Sequence, residues 1–166
     1  MIALQIQEIK SFMNKLLLSQ TFDNFLLVEG QITTYNTFHI DGRLQKDFFT
    51  AQEIEEGSLT HRAFSLWREV RPFCLELIKG KKTPLGFRFT FQLSEENTKK
   101  LLSVSGITSL TPENVSGLLF NVRYDHNGLS CITATNLNLF TLDKSLEHAW
   151  DDMVKRFLKQ QEISFL

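Results

Sequence analysis

Phe87-Arg88-Phe89-Thr90-Phe91-Gln92-Leu93 is the stretch of this chain that decides its fold. Large apolar side chains alternate with polar ones, which is typical of a β-strand with one buried face. The three phenylalanines and the leucine point to one side, and the arginine, threonine and glutamine point to the other. An antiparallel sheet can leave one face in water, so this strand predicts an antiparallel sheet that packs helices against its phenylalanine side.

The same two periodicities recur on both sides of this strand. Period-two patterns predict strands over residues 2–6, 25–34, 38–40, 118–124 and 129–135, with a short last strand at 163–166. Helical spacing of apolar residues predicts helices over 7–19, 63–78, 94–105 and 146–158, with Pro72 kinking or splitting the second of them. The fold class predicted from these elements is α+β, with an antiparallel sheet packed on helices.

Turn residues predict how the strands connect. Asp41-Gly42 and Asn127-Gly128 are both strong hairpin signals, because a type I′ turn needs positive φ at its two central residues. The first predicts a returning strand over 43–49. Residues 51–60 are acidic and are interpreted as a loop, and a third strand is expected over 137–142.

An internal repeat is a further prediction. The stretch Ile40–Thr50 has a partner in Ile132–Thr141, and each is followed by a helix built around one of the two tryptophans, Trp67 and Trp150. A repeat constrains the architecture before anything else does. The chain is therefore expected to form a single domain, 1–166, from two pseudo-symmetric β-α-β-β(-β)-α repeats, about 1–80 and 86–166.

The composition excludes several classes of protein. Eighteen basic and nineteen acidic residues give a net charge of −1, which argues against a dedicated nucleic-acid binder but leaves room for a small basic patch. No apolar stretch is long enough to span a membrane, and the first residues do not form a signal peptide. A cytoplasmic location is therefore expected.

No catalytic constellation is recognisable, so the catalytic residues are unknown and no cofactor or metal site is predicted. Cys74 and Cys131 are interpreted as two buried thiols. The four histidines show no metal-ligand spacing; His39 is expected on the outer face of a strand, His61 at the start of a helix, His126 in a hairpin turn and His148 on the polar side of the last helix. Asp151 and Asp152 are expected on the outside of that helix.

The C-terminal segment Gln160–Leu166 allows two interpretations. Its spacing of Gln160, Ile163, Phe165 and Leu166 matches peptides that dock on bacterial sliding clamps, a short motif that often matches by accident. The favoured alternative is a final strand that completes the sheet, with Ile163 and Phe165 facing inward.

The stretches Thr37–Phe49 and Lys82–Thr90 resemble an uncharacterised family of clostridial-type Firmicutes. That resemblance implies a bacterial, cytosolic setting and no mechanism. The predicted order of elements is also similar to one domain of a DNA sliding clamp. Clamps lack the tryptophan helix and carry basic residues on their DNA-facing helices, whereas here Lys99 and Lys100 are offset by neighbouring acids.

The function predicted from the sequence is non-catalytic binding or protein interaction, with a homodimer through a sheet edge as one arrangement. Two alternatives stay open. One is a small enzyme whose site lies between the two repeats, where His39, Arg43 or Arg88 converge. The other is a clamp-like or clamp-associated protein. The ligand and the partner are not predicted.

Overall fold

The computed structural model describes all 166 residues and contains seven strands and five α-helices. The strands are β1 (Ala3–Gln5), β2 (Leu26–Thr33), β3 (Thr37–Asp41), β4 (Ser65–Leu66), β5 (Gly86–Gln92), β6 (Val115–Asp125) and β7 (Gly128–Leu137). The helices are α1 (Ile9–Leu17), α2 (Ala51–Glu56), α3 (Trp67–Ile78), α4 (Glu95–Val104) and α5 (Ser145–Gln160). The predicted α+β class is confirmed.

All seven strands belong to one antiparallel sheet with the order β1-β7-β6-β5-β2-β3. The short strand β4 pairs with the beginning of β2, next to β3. Strand β5, which carries the alternating phenylalanines, lies between β2 of the first half of the chain and β6 of the second half. The helices α1, α3, α4 and α5 contribute their buried sides to the core on the phenylalanine side of the sheet.

The core is built around aromatic rings. Phe22, from the loop after α1, stacks on Phe91 of β5 and Phe120 of β6, with both pairs of ring centroids 6.1 Å apart. Trp67 of α3 contacts Phe91 edge-on at 5.1 Å. Only Phe48, Phe73 and Phe140 of the 15 phenylalanines are exposed, as expected for a side chain without a polar group.

Both tryptophans are buried and make one hydrogen bond each. The indole N–H of Trp67 donates to the carbonyl of Leu16 at the end of α1, over 2.8 Å. The indole N–H of Trp150 donates to the carbonyl of Leu119 in β6, over 2.9 Å. A buried indole N–H without a partner would cost free energy, so these bonds fix α3 against α1 and α5 against the sheet.

The predicted hairpin at Asp41-Gly42 is wrong. Strand β3 ends at Asp41, and no strand follows over 43–49; a 3₁₀ turn spans Lys46–Phe48 instead. The reason is that Gly42 stays against β2, where its N–H donates to the carbonyl of Val28. A Cβ atom at position 42 would lie 1.7 Å from the carbonyl oxygen of Leu27, so this glycine serves close backbone approach and not a turn.

Three further expectations are corrected. Residues 51–56 form the helix α2, because Thr50 and Glu53 make a reciprocal capping box. The prediction of a loop considered only the acidic composition. His61 lies in the loop before β4, since α3 begins only at Trp67 and continues across Pro72. No strand follows β7 over 138–142.

Asp151 is not on the outside of α5 but buried, with 7% of its surface exposed. Its carboxylate accepts hydrogen bonds from the hydroxyl of Thr133 on β7 and from the ammonium group of Met1, which also pairs with Glu147. A buried carboxylate requires such donors, and only the folded sheet provides them. Asp152 is exposed as expected.

The internal repeat stays a prediction. Both halves contain the order β-α-β-β-α, interrupted by α2 and β4 in the first half. The strand pairings differ, because β5 pairs directly with β6, whereas β1 pairs with β7 at the other end of the sheet and not with β2.

The C-terminal segment lies antiparallel beside β1 and makes a β-bridge between Ile6 and Phe165. Backbone hydrogen bonds join Gln5 to Leu166 in both directions, and the N–H of Gln7 donates to the carbonyl of Ser164. Ile163 is buried and Phe165 packs against the core. The favoured interpretation predicted a final strand with Ile163 and Phe165 facing inward; the side chains do pack inward, but the segment makes one isolated β-bridge and not a strand. Docking on a clamp would require it to leave this position.

We expect Ile163→Ala to lower the free energy of unfolding by about 2–4 kcal/mol, because it leaves a cavity in the hydrophobic core. The matched control is Leu166→Ala, at a side chain that is 79% exposed, with an expected change within about 0.5 kcal/mol. Urea denaturation followed by circular dichroism measures both. Equal stability of the Ile163 variant and the wild type would contradict the role of this segment as part of the folded core.

A half-buried ion pair joins the loop after α1 to α3. The guanidinium of Arg71 donates to both carboxylate oxygens of Asp23 over 2.9 Å, and also to the carbonyl of Leu17 over 3.3 Å. The two side chains are 20% and 11% exposed. Bidentate geometry in a place largely removed from water makes this pair sensitive to the loss of one partner.

Arg71→Met is therefore expected to destabilise the protein by about 3 kcal/mol, since it leaves the Asp23 carboxylate without its counter-ion. Arg68→Met, on the exposed side of the same helix, is the control and should change stability by less than about 0.5 kcal/mol. Thermal denaturation of the two variants gives the comparison. Similar effects of the two variants would show that the ion pair does not stabilise the fold.

Candidate functional site

The face of the sheet opposite the helices is uncovered. A groove of about 320 Å³ lies on it, and every residue that lines this groove belongs to a strand of β2, β3, β5, β6 or β7. We call it the sheet groove. It lies where β2 from the first half of the chain meets β5 from the second half.

Polar side chains cross the sheet groove in one continuous row. The registers place His39 opposite Gln31, Gln31 opposite Arg88, and Arg88 opposite Arg123. We call these four residues, on β3, β2, β5 and β6, the arginine row. Neighbouring strands are about 4.8 Å apart, so the row spans roughly 15 Å across the sheet.

The two arginines of the row lie directly opposite each other on adjacent strands. Their Cα atoms are therefore about 4.5–5.5 Å apart. Like charges in this position destabilise a sheet unless another group compensates them. Arg88 has no carboxylate partner; one of its terminal nitrogens donates to the amide oxygen of Gln31 over 2.9 Å.

Arg123 is compensated in part by Asp125. Its Nε lies 2.9 Å from a carboxylate oxygen of Asp125, and its two terminal nitrogens make no hydrogen bond. The backbone N–H of Asn127, followed by the charge of Arg123, holds the pKa of Asp125 below its usual value, so this carboxylate stays ionised. The row therefore keeps several guanidinium N–H groups free to donate.

The floor of the sheet groove is formed by a second row, two residues further along the strands. The hydroxyl of Thr90 donates to the amide oxygen of Asn121 over 2.9 Å, and the amide nitrogen of Asn121 donates to the carbonyl of Ile132 over 3.3 Å. Because these polar groups already satisfy each other, the charged residues around them are left to contact a ligand.

The structure brings together two of the three residues that the sequence suggested for a site between the halves. His39 and Arg88 both line the sheet groove. Arg43 lies in an adjacent groove with His39 and is held by Asp41, whose carboxylate accepts from its side chain over 3.0–3.3 Å. Arg43 lowers the pKa of Asp41, and this ion pair leaves Arg43 with little unpaired charge.

Sequence reasoning missed Arg123 and Gln31. Both lie on strands that the alternation predicted, so their orientation away from the core was available from the sequence. The sequence did not show that Gln31 and Arg123 lie next to Arg88, because this depends on which strands pair and in which register.

A larger groove of about 770 Å³ lies at the end of the sheet between the loop before β4 and the start of α4. Its cations are already paired: Arg62 with Glu69 at 3.0 Å and Lys99 with Glu95 at 3.2 Å. Although it is larger, this groove has less unpaired positive charge than the sheet groove. No three histidine, cysteine or acidic side chains lie close enough together to hold a metal ion.

The two cysteines are poor candidates for a nucleophile. Both are buried and unbridged. Burial raises the pKa of Cys74 to about 12 and raises that of Cys131 as well, so neither forms a thiolate at neutral pH. No helix combines the length and the apolar composition that crossing a membrane requires.

Comparison with known proteins gives one match. The model described as "Family of unknown function (DUF5721)" matches residues 15–166. No curated protein and no solved structure matches the chain. The prediction of an uncharacterised family is thereby confirmed, while a clostridial origin and the similarity to a sliding clamp stay predictions.

Proposed function

We propose that this protein, which belongs to the Family of unknown function (DUF5721), is a non-catalytic binding module. Its sheet groove binds the phosphate group of a small ligand. The observation that carries this proposal is the directly opposed pair Arg88 and Arg123 on an uncovered sheet face. Two adjacent guanidinium groups match the charge and the several oxygen atoms of a phosphate. A carboxylate, by contrast, needs only one guanidinium group.

A bound phosphate would remove the electrostatic repulsion between the two arginines. In the free protein, Gln31 orients Arg88 but contributes no charge. A phosphate between the two side chains would accept from both and turn an unfavourable cross-strand pair into a favourable one. His39, at the end of the row, offers a ring N–H as a further donor.

The enzymatic alternative is favoured by one observation, the presence of His39 in the same row as Arg88. In that case a bound phosphate ester would be cleaved, and His39→Asn would abolish turnover. In a binding module the ester is recovered intact, and His39→Asn changes affinity alone.

The test is titration with inorganic phosphate at constant ionic strength, followed by NMR. We expect saturable shifts of the amide signals of Gln31, Arg88 and Arg123, with a dissociation constant in the millimolar range (about −4 kcal/mol). Arg88→Gln and Arg123→Gln should each weaken binding about tenfold or more, because each removes a charged donor. Circular dichroism verifies that each variant is folded.

Arg156→Gln is the matched control for this titration. Arg156 is an exposed arginine on α5, outside the sheet groove, and its substitution removes the same charge. Retained affinity in this variant supports a localised site. Absence of saturable binding by the wild type, or an equal loss in the Arg156 variant, would reject the sheet groove as a phosphate site.

We further propose that the protein forms a homodimer through β3 and works in the cytoplasm. The C-terminal segment covers the edge of the sheet at β1, whereas β3 pairs with β2 alone. Unpaired edges are templates for strand addition.

The cytoplasmic location is supported by two cysteines that form no disulfide.

Thr37→Pro tests the dimer. Gly42 donates its N–H to Val28, and the alternation of an antiparallel ladder then directs the N–H of Thr37 away from β2. A proline there removes an outward donor without breaking a backbone hydrogen bond to β2. Both substitutions lose the side-chain hydrogen bond between Thr37 and Thr33 of β2, over 3.1 Å, so this loss is matched between the variant and its control. Light scattering over a range of concentrations should show a dimer that this variant weakens and Thr37→Ala preserves. A wild-type protein that is monomeric throughout would rule out the dimer.

A further inference from the structure

The sheet groove also contains an acidic side chain without a partner. Glu29 lies on β2, two residues before Gln31, and lines the same groove as Arg88 and Arg123. Its carboxylate is exposed and takes part in none of the hydrogen bonds or ion pairs of the structure. The registers place it between Thr90 on β5 and Asp41 on β3.

Glu29 lies next to a second carboxylate. Its cross-strand neighbour Asp41 is also a carboxylate, although Arg43 neutralises that group. The acidic end of the sheet groove therefore consists of Glu29 on β2, since Asp41 lines the adjacent groove, and its basic end lies on β5 and β6. Two like-charged pairs, one of each sign, are opposed across neighbouring strands.

The two ends do not neutralise each other. Glu29 and Arg88 are diagonal neighbours on adjacent strands, and no ion pair joins them. Diagonal neighbours on adjacent strands have backbones about 7–8 Å apart, a spacing that a small ligand with two charged groups can bridge. Between them Thr90 and Asn121 are hydrogen-bonded within the floor and compete for neither charge.

From this arrangement we infer that the ligand of the sheet groove is dipolar: a phosphate monoester that also carries a protonated amine. The phosphate binds at Arg88 and Arg123, and the ammonium group binds at Glu29. This inference rests on the proposed function and specifies its ligand class. The volume of about 320 Å³ is at the lower end of the range for small-molecule sites and suits a compact ligand of this kind.

The experiment compares two probes that differ only in the amine, ethyl phosphate and O-phosphoethanolamine. We expect the wild type to bind phosphoethanolamine about three- to fivefold more tightly, since an exposed ion pair contributes up to about that factor. Glu29→Gln should remove the difference without weakening the binding of ethyl phosphate. Glu55→Gln, which removes an exposed carboxylate from α2 outside the groove, should preserve the difference.

The outcomes separate the two proposals. Equal affinities of the wild type for both probes, or a preference that persists in the Glu29 variant, would overturn the dipolar ligand while phosphate binding stands. Failure of both probes to bind would overturn the proposed function and this inference with it. Loss of the preference in the Glu55 variant as well would attribute it to net charge and reject the contact with Glu29.

Discussion

One-sided burial of the sheet is the constraint on which the rest of this structure depends. Strand β5 points all its phenylalanines to one face, and β2, β6 and β7 follow it in register. Four helices use that face to bury their own apolar sides. No comparable apolar surface exists on the other face, so no helix covers it, and the polar residues of the central strands line an open groove.

Hydrogen bonds and ion pairs determine how the helices lie on the covered face. Trp67 joins α3 to the end of α1, Trp150 joins α5 to β6, and Arg71 joins α3 to the loop that contains Asp23. Each of these contacts combines a large side chain that is buried or half-buried with a satisfied polar group. Together they make the helical layer specific, whereas apolar burial alone would permit several arrangements.

The open face has the opposite character, because its charges are arranged in ways that do not stabilise the fold. Arg88 faces Arg123 and Glu29 faces Asp41. Asp125 compensates Arg123 in part and Arg43 pairs with Asp41, whereas Arg88 and Glu29 have no charged partner. Residues that oppose local stability are a usual feature of binding sites, where the ligand supplies the missing interaction. This contrast between the two faces is the physical basis for placing function on the uncovered one.

Much of this arrangement was already determined by the sequence itself. Alternation and helical spacing are local properties, and they located nearly every long element; local signals also located the Ser94 cap of α4 and the hairpin between β6 and β7. They also oriented His39 and Arg88 away from the core. Local patterns were wrong in three places. The turn of the hairpin between β6 and β7 lies at His126-Asn127, one residue before the predicted pair, and only Gly128 has a positive φ, so the predicted type I′ turn at Asn127-Gly128 is wrong. Gly42 predicted a turn, but its lack of a side chain permits close approach to β2. The acidic stretch that begins at Ala51 predicted a loop, but it forms a capped helix.

The pairing of strands was decided only by the tertiary structure. The neighbourhood of β2 and β5, the place of β1 beside β7 and the register that opposes Arg88 to Arg123 join residues far apart in the chain. Such contacts depend on which arrangement buries the whole apolar face at once, and no local pattern contains that information. The sequence thus supplied the charged side chains of the site, and the packing of the sheet brought them together.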